Sequence, residues 1–376
     1  DAAKKFQNTR IFGSASFMTV GFSYQDEKIG GFAFNIRERM VWNSVLNTNA
    51  ANFLYLGYND PYFDSIVSES GYDTVGYSTN PRYASDIYNG TDQQFILFRE
   101  YNFGYGKKIV DKDNFTFYLG VGIKYIVGYG MTQYYQEDNG KTLIGHSALS
   151  PVFNVDYDTP TPSQVNGSGY KKVGSGFGFD IGTTFEFYKK KIRLSLAVTD
   201  IGSINWDGNV YEGNNGRVWK INTKGIDNYN IFQQGQLIDS DNLPGDPDEW
   251  TGIQDKKLSL ATTFRGGLQY DISNKFDVGF DILVPMKTNM PGTYLAPVYG
   301  FGGKYKPASW VDISAGVVTG GKFGTNVPLG LTFYPVNKKN NIWAIGFASR
   351  DLITLFSNDT PTVSLAFGFL RFSFGQ

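Results

Sequence analysis

Between Phe115 and Tyr129 the chain alternates without a break. Phe115, Phe117, Leu119, Val121, Ile123, Tyr125, Val127 and Tyr129 hold every second position, with Thr116, Gly120, Gly122, Lys124 and Gly128 among the residues between them. Successive side chains of an extended chain point to opposite faces. A period of two held this long therefore makes a strand with one aromatic face and one small or polar face. The same pattern recurs at Met18, Val20, Phe22 and Tyr24; at Phe32, Phe34 and Ile36; and at Tyr101, Phe103 and Tyr105. It returns at Phe177, Phe179, Ile181, Phe185 and Phe187, and again at Ile192, Leu194, Leu196 and Val198. One long strand is expected to put Leu258, Leu260, Phe264, Leu268, Tyr270 and Ile272 on a single apolar face. Further strands follow at Phe276–Ile282 and through 298–306, 311–319, 327–334, 341–351 and 362–376. The pattern predicts about thirteen strands, most reaching the roughly 9–11 residues that cross a bilayer as β-structure. A soluble sandwich also alternates, but with shorter strands.

Composition agrees and removes other classes. Aromatic residues are 16% of the chain, with 31 Phe, 25 Tyr and 45 Gly, which argues against disorder. Charged residues are 18% and the formal net charge is -1, so there is no electrostatic case for nucleic acid. The absence of cysteine removes disulfides and thiolate metal sites. No apolar run reaches the roughly 18 residues of a membrane-spanning helix. A mean hydropathy of -0.28 is nonetheless compatible with a transmembrane barrel, whose lipid-facing and lumen-facing residues average out. No signal peptide is visible at Asp1; a mature exported chain would look like this, and so would a cytosolic one.

The connections are ordered too. Segments 25–28, 107–114, 189–191 and 273–274 are short; they alternate with 40–92, 133–172, 205–255 and 287–296. Transmembrane barrels have short periplasmic turns and long extracellular loops. The expectation is one all-β domain: an antiparallel up-and-down β-barrel of about 14 strands, about 13 of them visible. Even strand counts are the rule, so a further strand is expected upstream of Asp1; an apolar patch at 142–157 is the other place for it. In 40–92, Leu46, Ala50, Phe53 and Leu54 have helical spacing. In the last strand the apolar phase flips between Phe369 and Leu370, which predicts a β-bulge near Gly368–Leu370. That strand should close the barrel against the first.

A final strand ending on Phe372 and Phe374 resembles the terminal strand of bacterial outer-membrane barrels. Three stretches, 13–18, 30–39 and 196–206, resemble a Bacteroidota outer-membrane barrel group, distantly similar to long-chain fatty-acid transporter barrels and to partner barrels of type IX secretion. The resemblance implies an outer-membrane location, with lipid and lipopolysaccharide as surroundings and other envelope proteins as candidate partners. It implies no cofactor and no catalytic residue. No hatch of the fatty-acid transporter kind is visible. Asp64-Ser65-Ile66 and Asp73-Thr74-Val75 resemble the O-glycosylation signal of that phylum.

The face opposite the aromatics carries Arg37, Arg39, Glu100, Lys124, Asp180, Glu186, Arg193, Arg265, Asp277, Asp281, Asp312, Arg350 and Arg371. These are the candidate lumen residues. They read either as a selectivity-determining lining or as an internal salt-bridge network. Mixed signs favour pairing, because an unpaired charge in a dry interior is costly. Tyr24, Tyr101, Tyr105, Tyr129, Phe187, Tyr188, Tyr270, Trp310, Trp343 and Phe374 fall near strand ends and suit interfacial girdles. Asp239, Asp241, Asp246 and Asp248 form a weak candidate metal loop without EF-hand spacing. His146 and Ser147 are adjacent and lack a second histidine, so no enzyme is expected. The expected function is a narrow channel or transporter for small or hydrophobic solutes. The alternative is a barrel subunit or scaffold of an envelope secretion or assembly machine, docking partners through its long loops.

Overall fold

The computed structural model describes residues 2–68, 74–137, 142–155, 159–188, 191–213, 215–221, 224–225, 250–287, 290–321, 324–338, 341–351 and 365–374. Its long strands are β1 (Arg10–Asp26), β2 (Gly30–Val45), β3 (Asp92–Lys112), β4 (Phe115–Glu137), β5 (Gly174–Phe187), β6 (Ile192–Trp206) and β7 (Thr263–Ser273). They continue with β8 (Phe276–Pro285), β9 (Val298–Ala308), β10 (Val311–Gly320), β11 (Leu329–Lys338), β12 (Asn341–Ser349) and β13 (Leu365–Phe374). Each pairs antiparallel with the next in the chain. The architecture is that of an antiparallel up-and-down β-barrel. β13 pairs with β12, and no pairing of β13 with β1 falls among the described residues.

The strand ends that flank 27–29, 113–114, 188–191, 274–275, 309–310 and 339–340 lie at one end of the ladder, and these separations are short. The strand ends that flank 46–91, 138–173, 207–262, 286–297, 321–328 and 350–364 lie at the other, so the expected alternation of short and long holds along the ladder.

The aromatic face points outward. Phe17, Phe22 and Phe301 are 66%, 65% and 62% exposed, and Val121, Ile123, Phe177, Phe179 and Ile181 are exposed beside them. So many exposed apolar side chains on one continuous face form a surface that water does not suit. The flip in β13 is real. Trp343 pairs with Phe372 and Gly346 with Gly368, so a β-bulge falls at the predicted place. Phe372 stacks on Trp343 at 5.9 Å.

Several boundaries move. β2 runs on to Val45, and the expected helix follows at Thr48–Leu56. Asn47 caps it by accepting from the Ala50 amide at 2.7 Å. Thr142–Leu149 is a strand, but it is no barrel stave: it pairs with the upper part of β4 and with Val210–Gly213. The expected long strand from Leu258 to Ile272 is broken. Lys256–Ser259 pairs with the top of β6, and β7 starts afresh at Thr263. Across the break, Leu258 and Leu260 turn inward and are buried, while Leu268, Tyr270 and Ile272 stay outside. Tyr129 is not a girdle residue: Tyr170 packs edge-on against it at 5.6 Å and the Arg99 guanidinium lies 5.5 Å from its ring centroid.

Described residues of the connections 46–91, 138–173 and 207–262 fold into a cap with its own core. Phe53, Phe63, Ile87, Tyr88, Tyr211 and Trp250 are buried together there. A second apolar cluster fills the mouth of the barrel: Val41, Phe98, Ile126, Met131, Ile204 and Trp206 are among its members. Trp206 lies flat across two glycines. A Cβ at Gly128 would fall 2.5 Å from its ring and one at Gly174 2.8 Å, so only glycine admits the indole there. Trp206→Ala removes the largest fully buried side chain. The expected cost is about 3–5 kcal/mol, read as a lower urea midpoint for unfolding in detergent or vesicles.

Candidate functional site in the barrel interior

The inner face is divided into two unlike halves. On β2 to β6 five charged side chains join into one network. Arg39 Nη1 lies 2.9 Å from Glu100 Oε1 and 3.6 Å from Asp200 Oδ1. Lys124 Nζ lies 2.9 Å from Asp180 Oδ1 and 2.5 Å from Asp200 Oδ1. Glu100, Lys124 and Asp200 are buried. Each charged row is roofed by an apolar one. One inward-facing step toward the cap, Val41 follows Arg39, Phe98 follows Glu100 and Ile126 follows Lys124, and all three are buried. The Arg39 guanidinium also lies 5.3 Å from the centroid of the Phe98 ring. A charge network under a buried apolar cluster occupies this half.

Asp200 enters the network through a defect in the sheet. The outward residues Ile192, Leu194, Leu196 and Val198 would carry Asp200 to the outer face. Between the pairs Phe179–Ile201 and Ile181–Val198 the register shifts, and Asp200 adopts φ 60°. The bulge turns it inward. Its own N–H then donates to Asp180 Oδ1 at 2.8 Å, and Thr262 Oγ1 donates to its carbonyl at 2.9 Å. Parity reasoning misses Asp200. The signal was present as a spacing of three, not two, between the outward residues Val198 and Ile201.

The other half is thin-walled. Along β6 to β12 a cavity of about 480 Å³ is lined by small residues, among them Gly279, Gly302, Ser314, Gly316 and Gly330. Charged groups are sparse there. Arg193 donates to Glu186 at 2.8 Å, Lys304 lies 3.3 Å from Asp277, and the Tyr334 hydroxyl donates to Asp312 at 3.0 Å. Lys304 was not among the sequence candidates, although the alternation of Tyr299, Phe301 and Tyr305 places it inside. Asp281, Arg37, Arg265 and Arg371 make no ion pair among the described residues. Arg350 falls one residue past the end of β12 at Ser349. Asp239, Asp241, Asp246 and Asp248 lie outside the described residues, as does the side chain of Phe374. Among the described residues no group of His, Asp and Glu is arranged to hold a metal.

His146 sits in the cap. It is buried at 2% exposure, paired across strands with Gln133 on one side and Glu212 on the other. Ser147 is its strand neighbour and points to the opposite face, which forbids a Ser–His pair. Burial pushes the imidazole down to about 4, and the positive charge of Lys256 acts in the same sense. The ring is therefore neutral at pH 7, and the Glu212 carboxylate 3.8 Å from Nε2 makes no ion pair with it.

A family described as of unknown function (DUF5723) matches residues 3–339. Comparison with curated protein sequences gives no match. Among solved structures, the toluene transporter TodX of Pseudomonas putida is similar at 9% identity and a TM-score of 0.40, over 91% of this chain and 81% of that one. A Pseudomonas aeruginosa FadL homologue is similar at 11% identity and a TM-score of 0.40, over 88% and 68%. A Rh. blastica porin mutant gives 9% identity and a TM-score of 0.24, over 74% and 91%.

The two halves should respond differently to loss of a cation. Lys124→Met takes the shared ammonium from Asp180 and leaves Asp200 with Arg39 at 3.6 Å, at an expected cost of about 3–5 kcal/mol. Lys304→Met removes a partly solvated pair and should cost no more than about 1 kcal/mol. Urea midpoints of both variants check this. The cap gives a pH signature. A histidine lowered below its unfolded value of about 6.5 stabilises the fold above that pH, and the contribution is lost as pH falls toward 4. His146→Gln should flatten the unfolding midpoint between pH 7 and pH 4.5.

Proposed function

The chain belongs to the DUF5723 family, and we propose that it is an integral outer-membrane β-barrel that passes small solutes through the open half of its interior. One observation carries the reading: a continuous exposed apolar face outside backs directly onto a small-residue wall and a cavity of about 480 Å³ inside. Phe301 is exposed on the outside, while its strand neighbours Gly300 and Gly302 line the cavity. Lipid suits the first surface and water the second, which is the chemistry of a membrane barrel. The short turns then face the periplasm and the folded cap faces outward. The wall carries Arg193, Asp277, Asp281 and Lys304 among its glycines. A lining of this kind suits small, water-soluble molecules, and the passage is a physical one that calls for no catalytic group. The plug on the other half keeps the conduit narrow, since it removes part of the cross-section that a strand ring of this size encloses.

Reconstitution into planar bilayers tests this. Wild-type protein should give small conductance steps, and Ser314→Trp, which places an indole in the cavity, should reduce them. Phe301→Arg on the outer face should destabilise the inserted barrel by about 2–4 kcal/mol if the site lies near the bilayer midplane. Wild-type protein that inserts but neither conducts nor lets small solutes swell vesicles would overturn the proposal.

A further inference from the structure

Asp281 differs from every other acid on the open wall. Asp277 has Lys304 across the ladder, Glu186 has Arg193, and Asp312 has the Tyr334 hydroxyl. Asp281 has glycine on both sides: Gly267 of β7 and Gly300 of β9 are its cross-strand partners. Directly opposed positions are where a counter-charge would sit in an antiparallel sheet. Here neither carries a side chain. The carboxylate occupies the space so freed. A Cβ added at Gly267 would fall 2.9 Å from Asp281 Oδ1. Gly267 is thus needed for the carboxylate to lie where it does, over the wall and facing the cavity it lines.

From this geometry we infer that Asp281 is a selectivity-determining residue of the passage, contacting small cations and ammonium-bearing solutes as they cross. The inference rests on the conduit reading above. An unpaired carboxylate on a wet wall attracts cations and repels anions. Because the residues directly opposite it on both sides are glycines, no fixed cation sits at either opposed position. The solute's own positive charge supplies the missing partner.

The absence of cysteine makes a labelling test clean. A side chain fits at Gly300, where an added Cβ would meet its nearest neighbours, Val318 and Asp281, at 3.7 and 3.8 Å. Gly300→Cys protein in vesicles is treated with a trimethylammonium-bearing and with a sulfonate-bearing methanethiosulfonate. The cationic reagent should react faster. Adding Asp281→Asn should slow the cationic reagent and speed the anionic one, each by about threefold to fivefold, the scale of one unit charge a few ångströms away in water, and so lower the cation-to-anion rate ratio by about tenfold to twenty-fivefold. Asp113→Asn, in a short turn, should leave the ratio unchanged. In bilayers under a salt gradient, Asp281→Asn should move the reversal potential toward the value for no selectivity, and Asp281→Arg should carry it past. A ratio indifferent to Asp281, or a thiol that neither reagent reaches, overturns the inference. If wild-type protein fails to conduct while the ratio still depends on Asp281, the conduit reading falls and the cation contact stands.

Discussion

Lys124 is the side chain on which the interior depends. It joins two carboxylates from neighbouring strands, Asp180 and Asp200, and through Asp200 it reaches Arg39 and Glu100. A charge this buried is tolerated only when its partners are fixed before it arrives. The bulge at Asp200 does the fixing. It turns one carboxylate inward, aims its amide at the other, and leaves both oxygens within reach of a single ammonium. The apolar roof of Val41, Phe98 and Ile126 keeps water from competing. The network and the roof are therefore one device. Neither row of side chains would be stable in a barrel mouth without the other.

The period of two made most of the fold legible. Outward and inward residues could be separated wherever the alternation ran unbroken, as in Phe115–Tyr129, and the flip in the last strand located its bulge. Where the sequence breaks parity inside a strand, the reading failed in a consistent way. Asp200 was absent from the inward candidates, since the alternation through Val198 would carry it outward, and Leu258 and Leu260 were placed on one apolar face with Phe264 and Leu268. In both places the backbone changes face: at the bulge in β6, and at the break between Ser259 and Thr263. These two defects lie side by side on neighbouring strands, tied by the Thr262 hydroxyl donating to the Asp200 carbonyl. A one-dimensional pattern cannot show that two interruptions more than fifty residues apart share one hydrogen bond.

The cap was less legible for a different reason. Its core draws Phe53 and Phe63 from one connection, Leu143 from another beside Tyr134 at the end of β4, and Tyr211 and Trp250 from a third. None of these segments carries enough apolar residues to signal a core alone. Their burial exists only once the strands have brought the connections to one end. Asn47 was also silent in sequence, although it both caps the helix Thr48–Leu56 and donates to the Ile87 carbonyl at 2.6 Å, pinning the two ends of the first connection together.

The division of the interior follows from where side-chain bulk is spent. β2 to β6 place Arg, Glu, Lys and Trp inward, and these fill their half. β7 to β12 place many Gly, Ser and Ala inward beside a few charged groups, and these leave theirs open. Outside, both halves look alike, because each presents Phe, Tyr, Ile or Val at alternate positions. The outer surface is therefore a response to one solvent all round, while the inner surface is differentiated. A barrel needing only rigidity would gain by filling both halves, since packed side chains stabilise and bare glycine walls do not. Keeping one wall thin gives up that stabilisation along several consecutive strands. On the proposed reading this is a space that stays open, with Asp281 set into its wall between two glycines.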